Sequence, residues 1–312
     1  MQRICRLSPG VLPPRVLMGR IIAVANQKGG VGKTTTAVNL GASLAAAERR
    51  VLLVDMDPQG NATSGIGLAK QEVEVGTYEV LLGAVPPSSA VQPTELSHLF
   101  VIPATRDLAG ATVELVGLER REYRLKEALA QLVEDFDYIL IDCPPSLELL
   151  TVNALVAANS VLVPLQCEYY ALEGISDLMN TLELVRESLN PALAVEGILL
   201  TMYDARNNLA HQVRDEVSRY FKEQVFEVIV PRNVRLSEAP SFGKPIILYD
   251  IMSTGAENYM SLTKEIVIAG GLAKSQTLIK HLSSLIKKDV SVLKHPEYVG
   301  AIGAVISYEG GK

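Results

Sequence analysis

A formal net charge of −6 across 312 residues excludes a chain drawn to nucleic acid by its overall balance, so any such contact must come from a local basic patch. With 48% hydrophobic residues, five Phe, eleven Tyr and no Trp, the chain suits one large α/β domain, or a domain plus appendage, with an aliphatic core. No apolar run is long enough to span a membrane, and Cys5, Cys143 and Cys167 lack metal-type spacing and suggest a reducing compartment.

Residues 1–17 carry Arg3, Arg6 and Arg15 and are broken by Pro9, Pro13 and Pro14. They lack the continuous apolar segment of a secretory signal; a disordered basic extension is expected, with Met18 the more natural start. The apolar run 21–25 reads as the first strand. It leads into Asn26-Gln27-Lys28-Gly29-Gly30-Val31-Gly32-Lys33-Thr34-Thr35-Thr36, followed by a helical pattern through Ala37, Val38, Leu40, Ala42 and Leu44. Strand, glycine turn and helix start make an anion site: backbone N–H groups approach phosphate closely and the helix dipole favours negative charge. Lys33 is placed for the terminal phosphates and the Thr34 hydroxyl for magnesium, which points to nucleotide binding. The standard pattern G-x-x-x-x-G-K-[ST] is not fully met, because Gln27 holds its first glycine position and a second lysine, Lys28, precedes Lys33. Two cations so close repel unless a polyanion lies between them.

The second strand, 51–54, ends in Asp55-Met56-Asp57-Pro58. Ligands gather at the carboxyl ends of parallel strands, so Asp57 is expected to orient an attacking water and Asp55 to face the metal's water shell. A turn with helix-capping carboxylates is the alternative. Residues 64–100, interrupted by Gly and Pro, are expected to be surface elaboration. A short strand at 99–102 and a helix at 121–133 follow. The strand 138–141 then delivers Asp142 at its tip, a Walker B arrangement that holds magnesium through water. Cys143 beside it reads as a small buried hydrophobe. Further strands at 160–165, 195–201 and 226–230 alternate with helices, which argues for a doubly wound, mainly parallel sheet.

Lys-Gly-Gly-Val-Gly-Lys-Thr-Thr at 28–35, Val-Asp-Met-Asp-Pro-Gln-Gly-Asn at 54–61, Ile-Asp-Cys-Pro-Pro-Ser at 141–146, Glu-Tyr-Tyr-Ala-Leu-Glu-Gly at 168–174 and Pro-Arg-Asn-Val-Arg-Leu-Ser-Glu-Ala-Pro-Ser at 231–241 resemble the chromosome-partitioning ParA/Soj ATPases. The resemblance runs from about residue 18 to 267. The last two motifs separate this family from septum-placing MinD proteins and nitrogenase-type reductases. It implies a P-loop NTPase of the deviant Walker A class that takes ATP and Mg2+. The implied nucleotide site is Lys28, Gly29, Gly30, Val31, Gly32, Lys33, Thr34 and Thr35, with Met202, Pro231 and Asn233 near adenine. Thr34, Asp55 and Asp142 are the implied metal residues; Lys28, Lys33 and Asp57 are the implied catalytic ones.

The resemblance also implies a homodimer that closes face to face on ATP, with Lys28 reaching the partner's phosphates as an arginine finger does. Gly29 and Gly30 must then stay small beneath the other subunit. The closed dimer is expected to bind double-stranded DNA without sequence preference and to release it after hydrolysis stimulated by a ParB/Spo0J-type protein. Arg206 and Arg235 match the family's DNA-contacting positions; Arg232 and Lys244 are added from proximity in sequence. Doubling a modest patch by dimerisation makes the second contact intramolecular. Such a protein is cytoplasmic and nucleoid-associated.

Residues 268–312 depart from the family and are similar to the C-terminal end of actin-fold dehydratase-activator ATPases, so a fusion fragment is expected. Within them Leu278, Ile279, Leu282, Leu285 and Ile286 form a helical stripe flanked by Lys280, Lys287 and Lys288. The alternative function, a MinD-like membrane-cycling regulator, would use that helix. A core-facing helix is favoured over it, and no membrane partner is expected.

Overall fold

The computed structural model describes residues 19–169 and 171–271; the basic extension and the amphipathic stripe lie outside them. Eight strands form one sheet: β1 (Arg20–Val24), β2 (Val51–Asp55), β3 (Gln92–Pro93), β4 (Leu99–Ile102), β5 (Tyr138–Asp142), β6 (Ser160–Gln166), β7 (Ala194–Tyr203) and β8 (Val225–Pro231). Their spatial order is β3-β4-β2-β5-β1-β6-β7-β8. Every pairing is parallel except β3 with β4. The central strands are continuous aliphatic runs because helices cover both faces.

Side-chain alternation builds two cores. Ile22, Val24, Leu53, Leu140 and Leu162 meet α1 (Lys33–Ala46) and the helix Thr254–Gly271 through Leu40, Leu44, Tyr259, Leu262 and Ile266. Ile21, Ala23, Leu52, Val54, Ile139, Ile141, Val161 and Val163 meet the helices Leu149–Ala157, Ala171–Ser188 and Asn208–Phe221. The central strand β1 is flanked by β5 and β6, so the chain's order reverses there and a crevice opens at the carboxyl ends.

Two expectations change. Residues 64–100 are not only surface: Val80, Leu81 and Ala90 join the core, and the buried Thr77 hydroxyl donates to the Asp55 carbonyl at 2.7 Å. The helix expected at 121–133 is a tight turn, Arg121–Tyr123, then a short helix, Arg124–Leu129. Buried Asn153 sits at that junction, donating to the Arg121 carbonyl at 2.9 Å and accepting from the Leu125 amide at 3.1 Å. The helix Thr254–Gly271 continues past Val267.

At the outer strand β8, Glu265 accepts from the amides of Glu227 at 3.0 Å and Val228 at 2.9 Å. At the opposite edge β3 is two residues long and contains Pro93. Among the described residues no helix is long and apolar enough to cross a membrane.

Candidate nucleotide site

The turn between β1 and α1 is shaped by two glycines in the left-handed region, Gly30 at φ 75° and Gly32 at φ 88°, a conformation that costs other residues strain. Gly32 is also the N-cap of α1. Two side chains, one within the loop and one from β7, hold it in place. Buried Asn26 donates to the Pro164 carbonyl at 2.7 Å and accepts from the Lys28 amide at 3.0 Å. The Thr201 hydroxyl donates to the Val31 carbonyl at 2.8 Å.

Lys33 is buried, and its Nζ donates to the Lys28 carbonyl at 2.9 Å. Burial lowers its pKa, while Asp142, Cys143 and Asp57 oppose that by favouring the charged amine. Lys28 points elsewhere: its Nζ pairs with Glu168 at 2.5 Å. Thr34 and Thr35 lie in the first turn of α1, and Thr36 turns inward to the Tyr259 hydroxyl at 3.2 Å.

Three aspartates occupy the neighbouring strand ends. Asp142 is fully buried and neither carboxylate oxygen completes a hydrogen bond. Burial first, then Asp55, push its pKa well above the usual carboxylate range; the Thr34 side chain and Lys33 pull the other way. A buried, unsatisfied carboxylate beside a phosphate-type loop is the group a hydrated dication satisfies. Among the described residues no three His, Cys, Asp or Glu side chains converge on a metal position. An ion here would therefore draw on the Thr34 hydroxyl, water and phosphate oxygens.

Asp55 differs. Its Oδ2 accepts from the Thr63 amide at 2.8 Å and hydroxyl at 2.7 Å, and its Oδ1 from the Asp57 amide at 3.1 Å. Burial pushes it up to about 6. The residue expected in the metal's water shell thus has both oxygens engaged in holding the β2 turn. Asp57 is 8% exposed and caps that turn through the Gln59 amide at 2.9 Å; it sits close enough to Lys33 to favour its charge. Cys143 is inert: burial, then Asp142, push its thiol far up. Burial likewise pushes Cys167 up to about 11.

Met202, expected near adenine, follows Thr201 in β7 and takes an unusual positive φ of 49°. Its Cε lies about 4.0 Å from where a Gly32 methyl group would stand, so it does reach the loop. Asn233 caps the helix Val234–Glu238, accepting from the Leu236 amide at 3.2 Å, and Pro231 closes β8.

The four expected DNA-facing cations divide. Arg206, with its side chain 90% exposed, pairs with Asp204 at 2.9 Å and through hydrogen bonds holds it down to about 2. Exposed Arg232 lends that aspartate further charge. Arg235 pairs with Glu238 at 3.1 Å and Asp250 at 3.5 Å. Lys244 turns toward Glu95 at 3.8 Å, in the connection between β3 and β4. Asn26, Thr63, Gln166, Glu168 and Thr201 hold the site together without having stood out in the sequence as functional residues. Asn26 and Glu168 at least stood inside quoted stretches; buried Thr63 gave no signal.

A doubly wound sheet carrying a glycine loop, a buried lysine and an orphaned aspartate at its carboxyl edge defines a P-loop nucleotide-binding protein. A protein-family signature described as an AAA domain matches residues 19–195. A chromosome partitioning protein ParA from Myxococcus xanthus is 65% identical over 250 residues, covering 80% of this chain and 88% of that one. The sporulation initiation inhibitor protein Soj of Bacillus subtilis is 59% identical over 253 residues, covering 81% and 100%. Among solved structures, a Mycobacterium smegmatis protein named cobyrinic acid a,c-diamide synthase, with bound ADP and magnesium, is 41% identical with a TM-score of 0.71, covering 80% and 95%. The cell division ATPase MinD of Pyrococcus furiosus is 27% identical with a TM-score of 0.68, covering 81% and 100%. The chain belongs to the ParA/Soj family of partitioning ATPases.

Proposed function

We propose that this chain is an ATP-dependent partitioning switch whose nucleotide state decides whether two copies associate and hold DNA. The observation that carries the reading is Asp142: a fully buried carboxylate without a completed hydrogen bond, at the tip of β5, facing Lys33 and Thr34. That arrangement suits a magnesium–triphosphate ligand. The Thr34 hydroxyl and, through water, Asp142 would hold magnesium, which would supply positive charge to the terminal phosphates. The backbone amides of Gly29 to Thr34 cradle the phosphates. Lys33 is desolvated before ligand arrives, so its charge acts at low dielectric. Asp57, one residue past the buried Met56, orients the attacking water.

The second lysine supports the dimeric part of the reading. Lys28 does not converge with Lys33 in the single chain but turns to Glu168, consistent with a group kept for a second subunit's phosphates. Hydrolysis then acts as a timer, and a ParB-type protein stimulates it. Arg206, Arg232 and Arg235 serve as phosphate-directed contacts for double-stranded DNA, placing the protein on the nucleoid. DNA binding by the full chain should appear with ATP and Mg2+, fall steeply with salt, and be absent with ADP. Equal binding in both nucleotides would sink the switch.

A further inference from the structure

Lys28 is fixed at both ends. Its amide donates to Asn26, its carbonyl accepts from Lys33 at 2.9 Å, and its Nζ meets Glu168 Oε2 at 2.5 Å. Glu168 is held in turn. Its second carboxylate oxygen accepts from the side-chain amide of Gln166, the last residue of β6. Its own amide donates to the Gln166 carbonyl and its carbonyl accepts from Ala171, each at 2.9 Å. Ala171 opens the helix Ala171–Ser188. A tight turn at the end of β6 therefore presents a carboxylate to the lysine across the narrow crevice beside the phosphate loop.

A lysine side chain has four rotatable carbons and would otherwise sample many positions. The carboxylate selects one of them. Both partners remain accessible, at 40% and 44% side-chain exposure, so the pair opens at modest cost and contributes little to the fold.

We infer that Glu168 is a positioning residue that stows Lys28 in the single subunit, so that its release is part of the cost of joining two subunits. The inference rests on the reading that Lys28 serves a second subunit's phosphates. A neighbouring triphosphate, with its larger charge, draws the ammonium away from the carboxylate; Glu168 reclaims it when the subunits part. Because a closed pair holds two such lysines, the cost enters twice. Glu168 thereby sets the protein concentration at which closure begins.

Sedimentation of the full chain across a protein concentration series, with Mg2+ and the non-hydrolysable analogue AMP-PNP, tests this. An exposed pair of this kind shifts an equilibrium about 1.4- to fivefold. Counted twice, Glu168→Gln and Glu168→Ala should lower the dimer midpoint roughly two- to 25-fold. Affinity for a fluorescent ATP analogue, measured well below that midpoint, should stay within about twofold, and the melting temperature should not move. A merely structural Glu168 would instead lower affinity and melting temperature together. A wild-type chain that dimerises while both variants keep or raise its midpoint overturns the role of Glu168 alone. A wild-type chain that never dimerises overturns the proposed function, and this role with it.

Discussion

Asp55 and Asp142 are register partners at the ends of adjacent strands β2 and β5, both fully buried, yet one accepts from three donors and the other completes no hydrogen bond. Their isosteric amides should therefore differ in their effect on the nucleotide-free chain. Asp55→Asn turns an N–H₂ toward donors and should destabilise by about 1–3 kcal/mol. Asp142→Asn meets no such donors and should cost less, while magnesium-dependent ATPase activity is lost. Urea midpoints of the two variants check the order.

The same pair sets a pH dependence. Asp55 titrates near 3.8 when unfolded and is pushed up to about 6 by burial in the fold. Between those values the folded chain holds more protons than the unfolded one, so stability falls as pH rises through that window. Asp55 alone accounts for up to about 3 kcal/mol at about 1.4 kcal/mol per pH unit, and the raised Asp142 acts in the same direction. Denaturation of the nucleotide-free chain from pH 4 to 7 should show this loss; a stability that rises over the range contradicts it.

Gly29 and Gly30 separate fold from association. Gly30 needs its positive φ, whereas a methyl group at Gly29 would meet nothing nearer than Pro145 Cβ at 3.9 Å. Gly29→Ala should thus keep melting temperature and ATP affinity within about twofold, and substituting Gly30 should cost about 1 kcal/mol. If a second subunit passes over this loop, Gly29→Val should remain monomeric with AMP-PNP in size-exclusion chromatography.

The lysines should fail differently. Lys33→Ala leaves phosphate without its buried cation and should reduce ATP affinity by about 100-fold or more, roughly 3 kcal/mol. Lys28→Ala should bind ATP but turn it over no faster with DNA and a ParB-type peptide present. Asp57→Ala should bind ATP, dimerise and stay on DNA, and rapid turnover by that variant would refute the role given to Asp57.

Arg235 is already engaged by Glu238 and Asp250, so its acidic neighbours limit what it offers to phosphate. Arg235→Glu should abolish DNA retention yet leave the ATP dimer intact. Glu238→Gln should instead strengthen DNA binding by about two- to fivefold, an amount in keeping with one exposed ion pair. Filter binding over a salt series distinguishes the two, since loss of one phosphate contact lowers the slope by about one.

Much of this architecture was legible from the chain. The apolar runs of β1, β2, β5 and β6 announced buried parallel strands, and the glycine loop announced its own left-handed turns. The fold's remaining detail depended on long-range partners. Thr77 is buried because its hydroxyl finds the Asp55 carbonyl, and no local pattern encodes that, so residues 64–100 looked superficial. The sequence separated Asp57, for the attacking water, from Asp55, for the metal's water shell, but it could not show that Thr63 returns to hydrogen-bond Asp55 through both its amide and its hydroxyl. The pairs Arg235–Asp250 and Lys244–Glu95 were likewise invisible, because chain folding brings those partners together, whereas Arg235–Glu238 follows helical i,i+3 spacing.

Glu265 covers two backbone donors of β8, and the other margin of the sheet stops at a two-residue strand with a proline. Among the described residues neither border offers a template on which a further strand can grow. A sheet closed in this way at both margins resists zipping into fibrils when the protein is concentrated. In the proposed function, copies would then meet through the ligand-bearing rim, where contact can be undone.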